Sequence, residues 1–122
     1  MRTKALFIAV PLILAIVPWL LGRADVSGTW NLTVESQDGT ATPSVKFAQS
    51  GEKLSGVYRG RMGDSKLEGT LQGNAIQFTD TLRLQDQSFV TSYSGTVDGD
   101  TMSGRVQFED GAAGKWSGKR AE

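Results

Sequence analysis

The chain has no cysteine and no histidine among its 122 residues. Lack of cysteine excludes disulfides, thiolate chemistry and lipid attachment at a newly exposed N-terminal cysteine. Lack of histidine removes the usual general base and the Ser-His nucleophile pair. Together the two absences exclude the ordinary zinc, copper and haem ligand sets, so no cofactor and no metal are expected. Helical periodicity is missing as well: from Val26 onward no stretch places apolar residues at i, i+3, i+4 and i+7. A phosphate-binding loop needs a strand that runs into a helix, so the glycine-rich segments are not read as one. Basic charge is thin. Leaving out Arg2, Lys4 and Arg23 takes the 13 basic side chains down to 10, against 13 acidic ones, a formal charge of −3. Neutralising phosphates takes clustered Lys and Arg, and nucleic acid is not an expected partner.

What is present begins with a leader. Arg2 and Lys4 precede an uncharged run from Ala5 to Gly22, and Gly22-Arg23-Ala24 sets small residues just before Asp25. That order is the pattern of a secretory signal peptide over 1–24, which would place the 25–122 domain in the periplasm or outside the cell. The alternative is an uncleaved anchor, because 5–22 is just long enough to span a bilayer. Membrane contact is then expected through that segment alone.

After the leader the apolar residues alternate. Trp30, Leu32 and Val34 are interleaved with polar residues at the period of a half-buried strand. Runs over 44–49, 54–61, 66–72, 75–84, 88–97, 101–109 and 114–119 behave alike. Short turns such as Gln37-Asp38-Gly39, Gly73-Asn74 and Asp98-Gly99-Asp100 separate them. Links this short join only antiparallel neighbours. The expected fold is all-β: an eight-stranded antiparallel up-and-down meander closed into a small barrel, because closure removes the exposed edges, preceded by a hydrophobic signal helix. Glycines inside the strands, among them Gly56, Gly69, Gly95 and Gly104, fit the corners of a tightly coiled barrel.

Several segments also carry a resemblance. Ser27-Gly28-Thr29-Trp30, Lys53-Leu54-Ser55-Gly56, Ala75-Ile76-Gln77-Phe78, the stretch from Tyr93 to Gly104 and the closing Lys115-Trp116 resemble a family of small exported bacterial β domains. Members stand alone or at the C-terminus of secreted amidohydrolase-like enzymes. The resemblance implies a fold and no particular reaction. A more distant likeness is to the avidin barrel, which also opens on Gly-Thr-Trp and places a ligand-facing tyrosine where Tyr58 falls. Leu32 and Gly60 replace that barrel's ligand-binding asparagine and serine, and the last strand lacks its aspartate. Only barrel shape carries over, not biotin binding.

The alternation assigns Tyr58, Asp80, Thr91 and Tyr93 to the inward face, and these are the candidate ligand-binding residues. A buried carboxylate is costly unless it is hydrogen-bonded, so Asp80 is either part of a satisfied network, or a ligand handle, or a partly wet residue at a bulge or rim. The last reading is the simplest. The inward set also includes Leu82, Leu84 and Phe89, and enough large side chains to fill a barrel of this size, which leaves any pocket shallow and near one mouth. Arg59, Arg61, Arg83 and Arg105 read as outward. Asp98 and Asp100 lie a strand length, about 25 Å, from Glu109 and Asp110, so these acids read as turn residues, not calcium ligands. Three functions stay open. The first is a non-catalytic structural or interaction module with an unknown protein partner. The others are a calycin-like carrier of a small apolar ligand, and a small-barrel enzyme using tyrosine–carboxylate acid–base chemistry.

Overall fold

The computed structural model describes residues 24–121, and all regular structure within them is β. The expected signal helix lies outside the described residues, which begin at Ala24, the last residue of the expected 1–24 leader. Nine strands follow in chain order: β1 Gly28–Ser36, β2 Gly39–Ala41, β3 Ser44–Ser50, β4 Lys53–Gly60, β5 Gly63–Gln72, β6 Ala75–Leu84, β7 Gln87–Asp98, β8 Thr101–Gln107 and β9 Ala113–Arg120. Each pairs antiparallel with its neighbour from β3 to β9, and β1 pairs with β9 through Trp30↔Arg120 and Val34↔Trp116. The sheet therefore closes, and the expected meander barrel is correct.

The strand count differs from the expected eight for a local reason. β2 and β3 pair with β1 in one continuous register, Val34↔Ala41 and then Trp30↔Val45. Thr42-Pro43 interrupts them, since proline has no N–H to give to the ladder. The Leu32 N–H still donates to the Pro43 carbonyl at 2.9 Å. The extra strand is thus the upper part of a broken second strand in an eight-stranded barrel.

Tight coiling depends on close backbone approach. Gly69 stands opposite Phe78, where a Cβ would come within 2.6 Å of the Phe78 Cβ. At Gly95 a Cβ would press on the Trp116 ring at 3.0 Å. Aromatic rings thus lie over bare backbone at the bends of the sheet. They also touch each other: Phe78 meets Phe47 and Trp116 edge-on, with centroids 5.3 and 5.4 Å apart. The Trp116 indole N–H donates to the Ser94 carbonyl.

The two ends of the barrel differ. At the base, Leu71, Ile76, Val97 and Met102 are buried with Trp30, and residues 24–27 cross beneath them. Val26 is wholly buried there and its carbonyl accepts the Trp30 indole N–H at 2.9 Å. The Gln49 side-chain amide accepts from the Val26 N–H and donates to the Ala24 carbonyl. Arg120 locks this plug, donating to the Asp25 and Ser27 carbonyls at 2.8 and 3.0 Å and stacking 4.5 Å over Trp30. The opposite end is open.

At that open end the inward pattern overreaches. Phe89 is 43% exposed, and Leu82 and Leu84 are only partly covered, not core. The β6–β7 hairpin is longer than its neighbours: β5 pairing ends at Lys66↔Thr81 and β8 pairing at Ser92↔Gln107. Beyond those points the two strands have only each other, so the face that points inward has no barrel to fill.

Candidate functional site

The open mouth is shaped by the upper ends of β4 to β7. Tyr58 on β4 is paired with Ser65 on β5, and Asp80 on β6 lies between Leu67 and Thr91 in unbroken register. Asp80 is therefore not at a bulge. It is 6% exposed and lines the cavity at the mouth, so the expected bulge is corrected while its place near the rim stands. The Ser65 hydroxyl donates to its Oδ1. Among the described residues no group donates to Oδ2, no basic side chain is within ion-pair distance, and no buried side-chain polar atom is sealed off without a partner. Oδ2 is thus served by the space above it. Burial pushes the Asp80 carboxyl above its ordinary value, with the Ser65 bond pulling the other way.

Tyr93 is buried beneath this level and stacks on Phe78. Its hydroxyl donates to the Tyr58 hydroxyl over a long 3.4 Å. Burial raises both phenols, Tyr93 the more strongly, with the neighbouring Tyr58 adding to it. Both are neutral at ordinary pH. Thr91 is half-buried opposite Asp80, but its hydroxyl makes no hydrogen bond to the carboxylate among the described residues.

Above these groups is a cavity of about 470 Å³, lined by Tyr58, Ser65, Asp80, Leu82, Ala41 and Met62. A second hollow of about 390 Å³ reaches toward Val34 and Phe108 and shares Ala41, Tyr58, Arg61 and Met62 with the first. The β4–β5 turn, Arg61-Met62, borders both, and Met62 is 68% exposed. Of the four sequence-derived residues, the structure brings Tyr58 and Asp80 into one cavity. It sets Tyr93 under Tyr58 and leaves Thr91 to one side.

Sequence reasoning missed Ser65, Ala41 and the turn. Ser65 was readable, since it is two residues before inward Leu67; a run begun at Lys66 passes over it. Arg61 read as outward, yet it sits on the turn that borders both hollows. Nothing local marked that turn as folding over the mouth.

Three of the four acids weighed as calcium ligands have other engagements. Asp100 pairs with Arg120 at 2.9 Å, Glu109 accepts the Val90 N–H, and Asp110 accepts the Ala112 N–H. Among the described residues no three His, Cys, Asp or Glu side chains gather where a metal could be held.

No family model and no curated protein matches the chain. Solved structures do. A redesigned β-barrel superimposes with a TM-score of 0.64 at 17% identity, covering 80% of this chain and 92% of its own. The redesigned barrel mFAP1, bound to DFHBI, matches with a TM-score of 0.61 at 19% identity over 78% of this chain and 94% of its own. A related barrel, mFAP0, also bound to DFHBI, matches at 0.58 and 20% over 78% and 98%. At such identities the likeness concerns the fold: a small closed antiparallel barrel.

Proposed function

We propose that this protein is a non-catalytic carrier of a small, largely apolar ligand held at the open mouth. One observation carries the reading: Asp80 is buried at the floor of a cavity of about 470 Å³ with one carboxylate oxygen unclaimed among the described residues. Ligand pockets combine such a volume with apolar walls and a few convergent polar groups. Leu82, Met62 and Ala41 supply the walls, Asp80, Ser65 and Tyr58 the polar groups. Two designed barrels of the same fold are bound to DFHBI, so an architecture of this size is compatible with a small guest.

The packed module, which the sequence favours, describes the base and middle of the barrel but not its mouth. The acid–base enzyme is less well supported. A general acid or base works best with its pKa near the working pH, burial pushes both phenols up, and Asp80 bonds to Ser65 and to neither tyrosine. On our reading the chain belongs with the small exported β domains that it resembles and works in the periplasm or outside the cell. Ala24 lies at the base, at the opposite end from the mouth.

The test is native mass spectrometry of the protein from its own source, followed by a thermal-shift screen of small apolar molecules. A retained small molecule, or a shift of several degrees that Asp80→Asn abolishes, is expected. A clean apo mass with no responsive compound returns the protein to the packed-module reading.

A further inference from the structure

The chemistry of the floor narrows the ligand class. Asp80 is a buried carboxylate with a neutral hydroxyl on one oxygen and, among the described residues, no cation within ion-pair distance. Burying such a group is costly unless it is paired. Folded proteins normally supply the partner from a nearby arginine or lysine. Here Arg59, on the rim, is turned to Asp64 at 3.8 Å. Arg61 is exposed on its turn and is not paired with Asp80. Water in the open cavity can serve Oδ2, but a counter-charge for it has to come from the cavity that it faces.

The surroundings suit a positively charged partner. The mouth-end turns and strand ends carry Asp38, Asp64, Asp86, Glu109 and Asp110, against Arg59, Arg61 and Arg83. With Asp80 the acids outnumber the bases, so the mouth draws cations toward it. The Tyr58 ring lines the cavity beside Asp80, and an aromatic face attracts a cation close to it. Higher up the walls turn apolar. Leu82 and Met62 border the cavity, and exposed Phe89 is paired with Leu82 on the projecting hairpin.

Resting on the reading of the mouth as a ligand site, we infer that it takes a compact apolar or aromatic amine, its protonated nitrogen down on Asp80 and its hydrocarbon body between Leu82 and Met62. The ammonium donates to Oδ2 and supplies the counter-charge that the fold omits. The body covers side chains that otherwise face water. Ser65 keeps Oδ1 in place, so the free oxygen keeps one direction.

The experiment uses the protein expressed from its full-length sequence, in whichever form residues 1–24 are left by the cell. Three probes of one shape and different charge are titrated by calorimetry and followed by amide NMR shifts at Tyr58, Asp80 and Leu82: phenethylamine, 2-phenylethanol and phenylacetate. The amine is expected to bind about tenfold or more tighter than the alcohol, the scale of a charge-assisted hydrogen bond, and phenylacetate weakest. In Asp80→Asn the preference for the amine over the alcohol is expected to fall to about threefold or less. Ser65→Ala, which keeps the carboxylate, is expected to preserve the order. Alcohol or phenylacetate binding as tightly as the amine, with shifts at the mouth, overturns the amine inference and leaves the carrier reading standing. No probe shifting the mouth residues overturns both. The wild-type charge series decides the matter even if a variant fails to fold.

Discussion

Phe78 and Tyr93 face each other across β6 and β7 with their rings 8° from parallel and centroids 4.5 Å apart. The pair forms the boundary between two regimes. Below it the barrel is filled by Trp30 and aliphatic side chains and closed by residues 24–27. Above it are Tyr58, Asp80 and the open cavity. Function, on this reading, sits on a rigid aromatic floor.

Asp80 is expected to lower stability at neutral pH. Its folded pKa lies above the ordinary 3.8 because of burial, so the folded chain retains a proton that the unfolded chain has already released. Stability therefore falls as pH climbs from 3.8 through the raised value, and the loss persists above it. Asp80→Asn should melt at the same temperature or higher than wild type at pH 7, with the difference vanishing below pH 3.8. Melting curves at several pH values check this, and a lower midpoint for Asp80→Asn at pH 7 would show the carboxylate to be structural.

Trp116 lies at the closing seam, opposite Val34 and against both Phe78 and Tyr93. Trp116→Ala should cost about 3–5 kcal/mol, typical of a large aromatic removed from a packed core. Deleting 114–122 should abolish cooperative unfolding. A truncated chain that keeps its denaturation midpoint would contradict closure.

Gly69→Ala puts a methyl group 2.6 Å from the Phe78 Cβ, with backbone around it that cannot move aside. Destabilisation should reach or exceed the roughly 1–3 kcal/mol usual for an overpacked core. Urea titration measures it, and a loss below about 0.5 kcal/mol, within the range of ordinary surface changes, would mean the sheet is less tightly coiled than described.

Arg120 ties the last strand to the plug through the Asp25 and Ser27 carbonyls, the Asp100 carboxylate and the Trp30 ring. Arg120→Ala should speed hydrogen exchange at the Val26 amide and the Trp30 indole N–H while Trp116 is unaffected. Arg120→Lys should not restore protection, because one ammonium cannot reproduce a planar fork that also stacks on an indole. Exchange unchanged in both variants would show that the plug holds itself.

The mouth's apolar lip is expected to matter for binding more than for folding. Met62→Ser removes a side chain that is 68% exposed, so stability should change by less than about 0.5 kcal/mol. Binding of a small apolar ligand should weaken severalfold, as expected for lost hydrocarbon contact. Calorimetry and melting on one preparation separate the two effects.

The sequence alone carries the strand, the face and the order. Alternation around Trp30, Leu32 and Val34 is a local property, read two residues at a time, and turns as short as Gly73-Asn74 allow only antiparallel neighbours. Closure was expected from the cost of exposed edges, and the β1–β9 pairing decides it. Tertiary structure decided where each inward side chain ends up. Leu67 and Phe89 both point inward, yet Leu67 is buried and Phe89 is exposed, because β6 and β7 outrun β5 and β8. Val26 precedes the first alternating strand and is buried all the same, since the chain crosses under Trp30. Ser65 reaches Asp80 diagonally from the neighbouring strand, where Leu67 is the residue directly opposite. Which way a residue points depends on its immediate backbone. What it meets depends on strand length, stagger and closure, which are set by residues far along the chain.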